Sequence, residues 1–366
     1  MIRYLDTLDE TNAKIVEGLG AYGPRNISSL AKKLRISATT VALRISKLTE
    51  ESGLQVRARL NFQKLGLRRV AIFTEAEPGK EKILRRIIEN FPYWTYIMRC
   101  FGKYNGLYAL FSFPAEASEE FEDYLKEASN ENILADYSVF WATDFCEMPP
   151  SFRWFNFKKR RWNFKWQRWL EEIQNSPETL PKRLFSLERY PILADCTDLL
   201  ILKELEKDGS IEFNKLARIV DMTAEAVRYR FQNHIQKRGL IADYEVAIFP
   251  YPHQSSDMAS FAIDFKDQVA LAKFANSLKD KPFVLNYAKA LRANKLITHI
   301  FIPKIEFSHF IDSLNQLVEM QFVERYFHVI LDIASYKRQT VDYRHFEKNK
   351  WTYDHQNNLQ TLRKAL

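Results

Sequence analysis

Hydroxyl and cationic side chains are concentrated between Ser37 and Lys47, where they could contact a polyanion. Val41, Ile45 and Leu48 recur at helical spacing and predict a buried stripe, so the residues between them are left to face outwards. A threonine can contact a thymine methyl group or a phosphate, and an arginine or lysine can contact a phosphate or guanine. The spacing therefore predicts a helix that contacts double-stranded DNA. The predicted contact residues in and around this helix are Arg25, Lys33, Arg35, Ser37, Thr39, Thr40, Arg44 and Lys47.

A second outward-facing set of polar residues lies 186 positions further along the chain. Val227, Phe231 and His234 take the buried stripe of this second helix, and nearby acidic residues weaken its positive field. The predicted DNA-contact residues of this copy are Thr223, Glu225, Arg228, Tyr229 and Arg230. Two alternatives stay open. Each helix could be a solvated surface kept only for packing, and Arg44 and Arg230, which occupy matching positions, could instead brace the fold through ion pairs.

A basic aromatic segment covers residues 146–170 and carries seven basic residues against one acidic residue. Trp162, Trp166 and Trp169 are spaced as neighbours on one helical face, and we expect them to pack against the protein rather than stack on bases. The cations of this segment could contact phosphates or could form a solvated surface. The residues of this segment assigned to DNA contact are Lys159, Arg160 and Arg161.

The elements that position these side chains form an internal repeat. Residues 9–54 and 195–240 align without a gap, with Asp9 matching Asp195. Each copy is predicted to form three short helices, of which the last two are joined by a tight turn, and this order describes a helix-turn-helix. A repeat of this length indicates that the architecture as a whole is duplicated.

This segment resembles the winged helix-turn-helix of the Lrp/AsnC (leucine-responsive, feast/famine) transcriptional regulators. The residues that carry the resemblance are Leu8-Asp9, Leu30 to Leu34, Ile36-Ser37, Thr39, Val41, Arg44-Ile45 and Gly53-Leu54. The resemblance implies sequence-specific DNA binding, a ferredoxin-like domain after each DNA-binding domain, and assembly into dimers. Two units fused in one chain could form an intramolecular pseudo-dimer, and a homodimer of chains stays open. The tandem layout and the tryptophan-rich tail favour an archaeal member of the family.

Strand and helix patterns behind each helix-turn-helix follow the order βαββαβ, which is that of a ferredoxin-like module. The predicted fold class is therefore α+β, with two winged helix-turn-helix domains each followed by a ferredoxin-like βαββαβ domain as an internal duplication. The predicted boundaries are 1–66 and 194–252 for the winged helix-turn-helix domains, 67–145 and 253–338 for the ferredoxin-like domains, 146–193 for a basic tryptophan-rich helical tail, and 339–366 for a C-terminal basic aromatic tail.

The resemblance also implies a small-molecule effector site at the hairpin between the second and third strands of the ferredoxin-like module. The family's Gly-x-x-Asp setting is matched here by Gly102 and Asn105, with an amide in place of the carboxylate. The second copy has Arg292 to Lys295 at this hairpin and lacks the glycine. Because neither hairpin offers a carboxylate for an ammonium group, another ligand, or none, fits the sequence as well as an amino acid does.

Composition narrows the functional class. The 366 residues carry a formal net charge of +8, which fits an anionic partner such as nucleic acid. The three cysteines lie far apart without metal-ligand spacing, and we expect neither a metal nor a cofactor.

No apolar run is long enough to span a membrane, so we expect no membrane partner and a cytoplasmic location. No catalytic set of side chains stands out, and we expect a protein that is not an enzyme.

Two alternative functions remain. A low-specificity, chromatin-type protein that coats DNA would explain the basic tryptophan-rich segment. An enzyme on the same scaffold is the other alternative, because siroheme decarboxylases resemble Lrp/AsnC proteins. Such an enzyme would need a basic pocket for porphyrin carboxylates and a catalytic histidine between the domains. The positive charge of this chain is concentrated on the helix-turn-helix and the tail, which favours the regulator.

Overall fold

The structure is a computed structural model that describes residues 8–365, so residues 1–7 of the predicted first domain and Leu366 lie outside the described part. The helices are α1 (Glu10–Tyr22), α2 (Ile27–Leu34), α3 (Ala38–Ser52), α4 (Glu81–Asn90), α5 (Ser118–Asn130), α6 (Trp166–Gln174), α7 (Cys196–Lys207), α8 (Phe213–Val220), α9 (Ala224–Arg230), α10 (Gln268–Ser277), α11 (Lys304–Glu319) and α12 (His355–Lys364). No helix within these described ranges has the length and apolar character needed to cross a membrane.

Within residues 8–365, ten strands are six residues long or longer, and six are two-residue strands. The longer strands are β1 (Gln55–Leu60), β2 (Leu67–Ala76), β3 (Trp94–Gly102), β4 (Gly106–Pro114), β5 (Leu134–Ala142), β9 (Ile241–Ala247), β10 (Ser256–Phe265), β11 (Val284–Lys289), β12 (Lys295–Pro303) and β13 (Val323–Leu331). The two-residue strands are β6 (Cys146–Glu147), β7 (Phe155–Asn156), β8 (Arg161–Trp162), β14 (Lys337–Arg338), β15 (Phe346–Glu347) and β16 (Lys350–Trp351).

Each helix-turn-helix copy consists of three helices, and all of them except α8 start at a capping side chain. In the first copy the Asp9 carboxylate accepts a backbone N–H at the start of α1 at 2.7 Å, and the Ser37 hydroxyl does the same for α3 at 3.0 Å. Gly53, at φ +66°, ends α3 in the left-handed conformation that favours glycine. The second copy has the same helix order, as predicted, and α9 continues through a π-helical turn, Phe231–Gln236.

The two wing strands pair with each other. Strands β1 and β9 are antiparallel, with Ala58 opposite Tyr244. Each helix-turn-helix also packs on the wing of the other copy. The amide of Gly209 donates to the carbonyl of Val56 at 2.8 Å, and Gly23 lies so close to the Tyr244 ring that an added Cβ would come within 2.6 Å of it. The two DNA-binding-type domains are therefore interlocked through their wings.

The two ferredoxin-like units share one antiparallel sheet with the strand order β5-β2-β4-β3-β13-β10-β12-β11-β6. The units are joined where β3 pairs with β13, with Gly102 opposite Val329. The far edges of the sheet also meet, because Ala142 at the end of β5 bridges Ala290, which follows β11. The eight long strands therefore form a closed, barrel-like ring within one chain.

Apolar side chains fill both faces of this ring. Helices α4 and α5 cover the outer face of the first unit, and α10 and α11 cover that of the second. The interior is lined by aromatic and aliphatic side chains, among them Phe73, Tyr108 and Phe301. Several polar side chains also enter the interior, which sets this ring apart from a purely apolar core.

The tail of each unit packs on the other unit. Helix α6 lies against α10 and α11, where Trp169 is fully buried and its indole N–H donates to the Ser277 hydroxyl at 3.1 Å. Helix α12 lies against α4 and α5 of the first unit. The expectation of one helical tryptophan face is corrected here. The helix begins at Trp166, whereas Trp162 ends the β7–β8 hairpin, because the chain turns back at Arg160, which has φ +47°.

Candidate functional site

The outer face of α3 is open to solvent, as contact with DNA would require. The predicted contact residues that are exposed on and near this helix are Lys33, Arg35, Ser37, Thr39 and Lys47. Lys47 has an exposed neighbour in Glu51, 3.8 Å from its ammonium group. Thr40 is half-buried, and its hydroxyl lies 2.7 Å from that of Ser37, which also caps the helix. Among the predicted contact residues of this copy, the exposed cations and Thr39 are side chains that a groove could reach.

Arg44 and Arg230 are held by carboxylates at the start of the first helix of each copy. Arg44 Nη1 lies 2.5 Å from Asp9 Oδ2. Arg230 Nη1 lies 2.7 Å from Asp195 Oδ2 and 2.9 Å from Asp198 Oδ1. Burial alone would raise the pKa of Asp195, but the hydrogen bond from Arg230 holds that pKa below its usual value. The structure therefore shows the bracing arrangement that the sequence left open.

Arg25 lies between the two helix-turn-helix copies and not on the predicted DNA-contacting surface. Its Nη2 donates to the carbonyl of Ile211 at 2.7 Å. Its guanidinium group also lies 4.7 Å from the ring centres of both Phe213 and Phe231. Position 211 is the repeat equivalent of position 25, so this contact lies near the axis that relates the copies. The assignment of Arg25 to DNA contact is corrected accordingly.

The second recognition helix, α9 with its π-helical extension, presents Glu225, Arg228 and Tyr229 to solvent. Thr223 is used as its cap, since the hydroxyl accepts a backbone N–H at 3.2 Å. His234 is half-buried, and its Nδ1 lies 3.3 Å from Asp198 Oδ2. This face carries the acidic Glu225 beside Arg228, and a weaker positive field than that of α3 stays a prediction.

The basic segment separates into buried tryptophans and exposed cations. Lys159, Arg160 and Arg161 are exposed around the turn of the β7–β8 hairpin. Trp166 packs among aromatic rings, and its indole N–H donates to Glu306 at 2.8 Å. The tryptophans therefore have the packing role expected for them. Phosphate contact by the cations stays a prediction.

The predicted effector hairpin lies beside the junction of the two ferredoxin-like units. Gly102 has φ +126°, and an added Cβ would lie 3.2 Å from the carbonyl oxygen of His328 on β13, so the position requires glycine. The Asn105 side-chain oxygen accepts the Gly102 amide at 3.4 Å. The equivalent hairpin of the second unit borders a pocket of about 300 Å³ with Lys289 and Arg292 in its wall.

A cluster of ionisable side chains, which the sequence did not reveal, lies where the paired wings meet the barrel. We call it the central polar cluster, and its members are Arg59, Arg69, Asp144, Glu147, Asp243, Glu245, His299 and Arg338. Arg59 Nη2 lies 3.0 Å from Glu147 Oε1, and Arg338 Nη1 lies 2.7 Å from Glu245 Oε2. Burial lowers the pKa of Arg69 to about 10 and raises that of Asp144 to about 7.

His299 and Tyr108 bring polar atoms into the barrel interior beside this cluster. Asn286 donates through its amide nitrogen to Glu147 at 3.2 Å, so its oxygen faces His299 Nδ1 at 2.6 Å and accepts the ring N–H there. His299 Nε2 is therefore left as an acceptor. In the part of the chain that the structure describes, neither this nitrogen nor the Tyr108 hydroxyl has a hydrogen-bond partner, and the two rings are centred 5.0 Å apart.

The surroundings keep this histidine neutral. Burial, with Arg59 and Arg69 nearby, lowers the pKa of His299 to about 3. Buried polar atoms without partners are uncommon in folded proteins, because leaving them unmatched costs free energy. The interior therefore holds an unmatched acceptor on His299 and an unmatched hydroxyl on Tyr108. Sequence reasoning missed it because its residues come from separate strands, although Arg69 within the apolar run of β2 was a visible signal.

Comparison with known proteins gives one match for a helix-turn-helix and different matches for the chain as a whole. The family model described as the AsnC-type helix-turn-helix domain matches residues 195–233. The second copy therefore contains an AsnC-type helix-turn-helix. That match covers the first helices and most of the second recognition helix. No curated protein matches the chain.

The chain as a whole is similar to a solved enzyme structure. The crystal structure of the siroheme decarboxylase NirDL has 13% sequence identity and a TM-score of 0.54, covering 97% of this chain and 99% of that chain. The same enzyme in complex with an iron-uroporphyrin III analogue gives 12% identity and a TM-score of 0.53 with the same coverage. An AsnC family transcriptional regulator from Agrobacterium tumefaciens covers 37% of this chain and 90% of its own, at 20% identity and a TM-score of 0.30.

The likeness to NirDL shows an α+β fold shared over 97% of this chain. It also corrects one expectation. The sequence favoured a protein that is not an enzyme, and that expectation is contradicted, because an enzyme has the same whole-chain architecture. The order of residues does not reveal which polar groups meet, and the barrel brings such groups together from distant strands.

Proposed function

We propose that this chain binds double-stranded DNA through α3 and α9 and acts as a sequence-specific transcriptional regulator. The observation that carries the proposal is the presence of two helix-turn-helix folds with exposed recognition helices, one of which matches the AsnC-type domain. The major groove of B-DNA admits an α-helix and shows a distinct pattern of donors and acceptors for each base pair. Two exposed helices of this kind fit two half-sites.

The two helices carry different side chains at matching positions, so the half-sites are proposed to differ. Thr39 of α3 corresponds to Glu225 of α9, and Lys47 corresponds to Asn233. A threonine methyl group suits a thymine methyl, whereas a glutamate accepts a hydrogen bond from the amino group of cytosine. The operator proposed for one chain is therefore asymmetric.

Assembly and effector binding are further parts of this proposal. Pairing of the two ferredoxin-like units within the chain supports a pseudo-dimer as the DNA-binding unit, and a homodimer of two chains would bring four helices together. The Gly102–Asn105 hairpin supports an effector proposal, because it lies beside the β3–β13 junction, where a ligand would alter the angle between the units. The exposed cations Lys159, Arg160 and Arg161 are proposed phosphate contacts.

The test is retention of pooled genomic DNA fragments across a salt series. We expect selective retention of a few fragments at about 150–200 mM salt, where non-specific phosphate contacts have weakened steeply. Lys47→Glu should weaken binding and lower the salt slope by about 1. The matched control is Lys126→Glu, which makes the same charge change on exposed α5. Uniform retention that collapses with salt would favour the DNA-coating alternative, and no retention at low salt would overturn both.

A second candidate is an enzyme that decarboxylates a carboxylated tetrapyrrole. The whole-chain likeness to NirDL supports it, together with the unpartnered His299 Nε2 and Tyr108 hydroxyl beside buried arginines. In such a reaction the bond between a side-chain carbon and its carboxylate breaks, and the electron pair left on carbon takes up a proton. Arg69, whose Nε has no hydrogen-bond partner among the described residues, would pair with a carboxylate. Burial raises the pKa of Tyr108, so its hydroxyl keeps a proton to donate.

This candidate is tested with iron uroporphyrin and the intact protein. Binding should shift the absorbance of the porphyrin. Turnover should release carbon dioxide, and mass spectrometry should then detect a porphyrin product of lower mass. Tyr108→Phe should abolish turnover while it leaves binding in place, because it removes only the hydroxyl. An unchanged porphyrin spectrum at excess protein would eliminate this candidate without affecting the DNA-binding proposal.

A further inference from the structure

A large apolar side chain stands at the same exposed position of both recognition helices. Leu43 is 67% exposed and Tyr229 is 61% exposed, and the two are 186 residues apart, which is the repeat distance. Each follows a fully buried valine, Val41 or Val227, by two residues. Two residues correspond to a rotation of about 200° on a helix, so each of these side chains faces directly away from the core.

The neighbouring side chains on α3 make this face complementary to DNA. Lys47 lies one helical turn after Leu43, and Thr39 lies one turn before it, and both are exposed. A phosphate backbone would meet the cations at the edge of the helix, while the side chain at the centre of the outer face would meet the base edges. Thymine is the base that presents a methyl group in the major groove, and apolar side chains contact it there.

We propose that Leu43 and Tyr229 contact bases and determine sequence preference, with Leu43 packing on a thymine methyl group. This inference rests on the proposed DNA binding through α3 and α9. Leu43 has no polar atom in its side chain and therefore selects thymine through apolar contact. Tyr229 has a hydroxyl group that can donate or accept a hydrogen bond, so it selects a different base step. The pair supplies a second reason for unlike half-sites.

The test uses DNA fragments that the wild-type chain retains selectively, together with copies of these fragments in which uracil replaces a single thymine. Uracil lacks the C5 methyl group and keeps the same hydrogen-bonding edge. At one thymine of one half-site, uracil should weaken wild-type binding by about fourfold, the value of one buried methyl-sized group. Leu43→Ala should weaken binding to the thymine site and make it insensitive to that uracil. Binding by Tyr229→Ala should stay sensitive to that uracil, because Tyr229 contacts the other half-site.

The control variant is Ile305→Ala, which truncates an 80% exposed apolar side chain on α11, far along the chain from either recognition helix. It should bind all fragments as the wild type does. Selective wild-type binding that no single uracil weakens would overturn the base-contact role and leave DNA binding standing. The same follows if Leu43→Ala stays sensitive to every uracil that weakens wild-type binding. Absence of selective binding by the wild type would instead overturn the proposed function itself.

Discussion

Arg59 and Glu245 occupy equivalent positions of the two wings, 186 residues apart, and carry opposite charges. Each pairs with a residue of the opposite charge, since Arg59 lies 3.0 Å from Glu147 and Glu245 lies 2.7 Å from Arg338. In the β1–β9 register Arg59 also faces Asp243. If both wing strands had the sequence of β1, the same register would place arginines opposite arginines. The basic wing is therefore complementary to the acidic wing of its own chain.

This complementarity predicts a loss of stability when one charge is reversed. Arg59→Glu would place a carboxylate beside Glu147 and opposite Asp243 in a half-buried setting, and we expect a loss of about 3 kcal/mol in the free energy of unfolding. Adding Glu147→Arg should restore a large part of it. Urea unfolding measures both, with Lys126→Glu as a surface control. A reversal that costs no more than the control would contradict the role of the pair.

Arg44 and Arg230 are predicted to differ in the cost of their removal. Arg230→Met removes the nearer arginine from Asp198, whose side chain is 0% exposed, and leaves it with Arg238 at 4.0 Å, so we expect a loss of about 3 kcal/mol. Arg44→Met leaves Asp9, whose side chain is 52% exposed, and the neutral Asn12, so we expect a loss below about 1 kcal/mol. The two variants serve as controls for each other in thermal or urea unfolding. Equal losses would show that burial of the carboxylate does not set the cost.

The buried carboxyl group of Asp144 predicts a distinct dependence of stability on pH. Burial raises its pKa to about 7 from the ordinary 3.8, so the folded state binds more protons than the unfolded state between these values. Its contribution to stability therefore falls as pH rises through that window and is constant above it. Asp144→Asn should gain stability relative to the wild type as pH rises from 4 to 8, as measured by urea unfolding. Asp312→Asn, on exposed α11, should show no such trend.

The exchanged tails predict that one tryptophan links the two halves. Trp169 follows the first ferredoxin-like unit but is fully buried on the second, where it donates to Ser277. Trp169→Ala should cost about 3–5 kcal/mol, because it opens a cavity and removes the donor to a buried hydroxyl. Trp169→Phe should lose less. Near-ultraviolet circular dichroism and urea unfolding follow both variants. If only one half of the chain lost stability and unfolded in a separate transition, the linkage would be contradicted.

The sequence by itself determined the local elements. Apolar spacing gave the helices of both copies, because an amphipathic helix shows its buried stripe in the order of residues. The α+β order of strands and helices followed from the same periodicity, and the Gly102 hairpin from its turn residues. The exposed Thr39 and Lys47 were also predictable, since they fall between the apolar positions of α3.

Only the tertiary structure decided which distant segments meet. Pairing of β1 with β9, closure of the barrel between β5 and β11, and the exchange of the tails depend on contacts between residues far apart in sequence, which periodicity does not encode. Arg25 is an example, because an outward-looking arginine in the sequence is covered by the second copy. His299 and Tyr108 show the same limit, because their chemistry arises from burial among charges contributed by other strands.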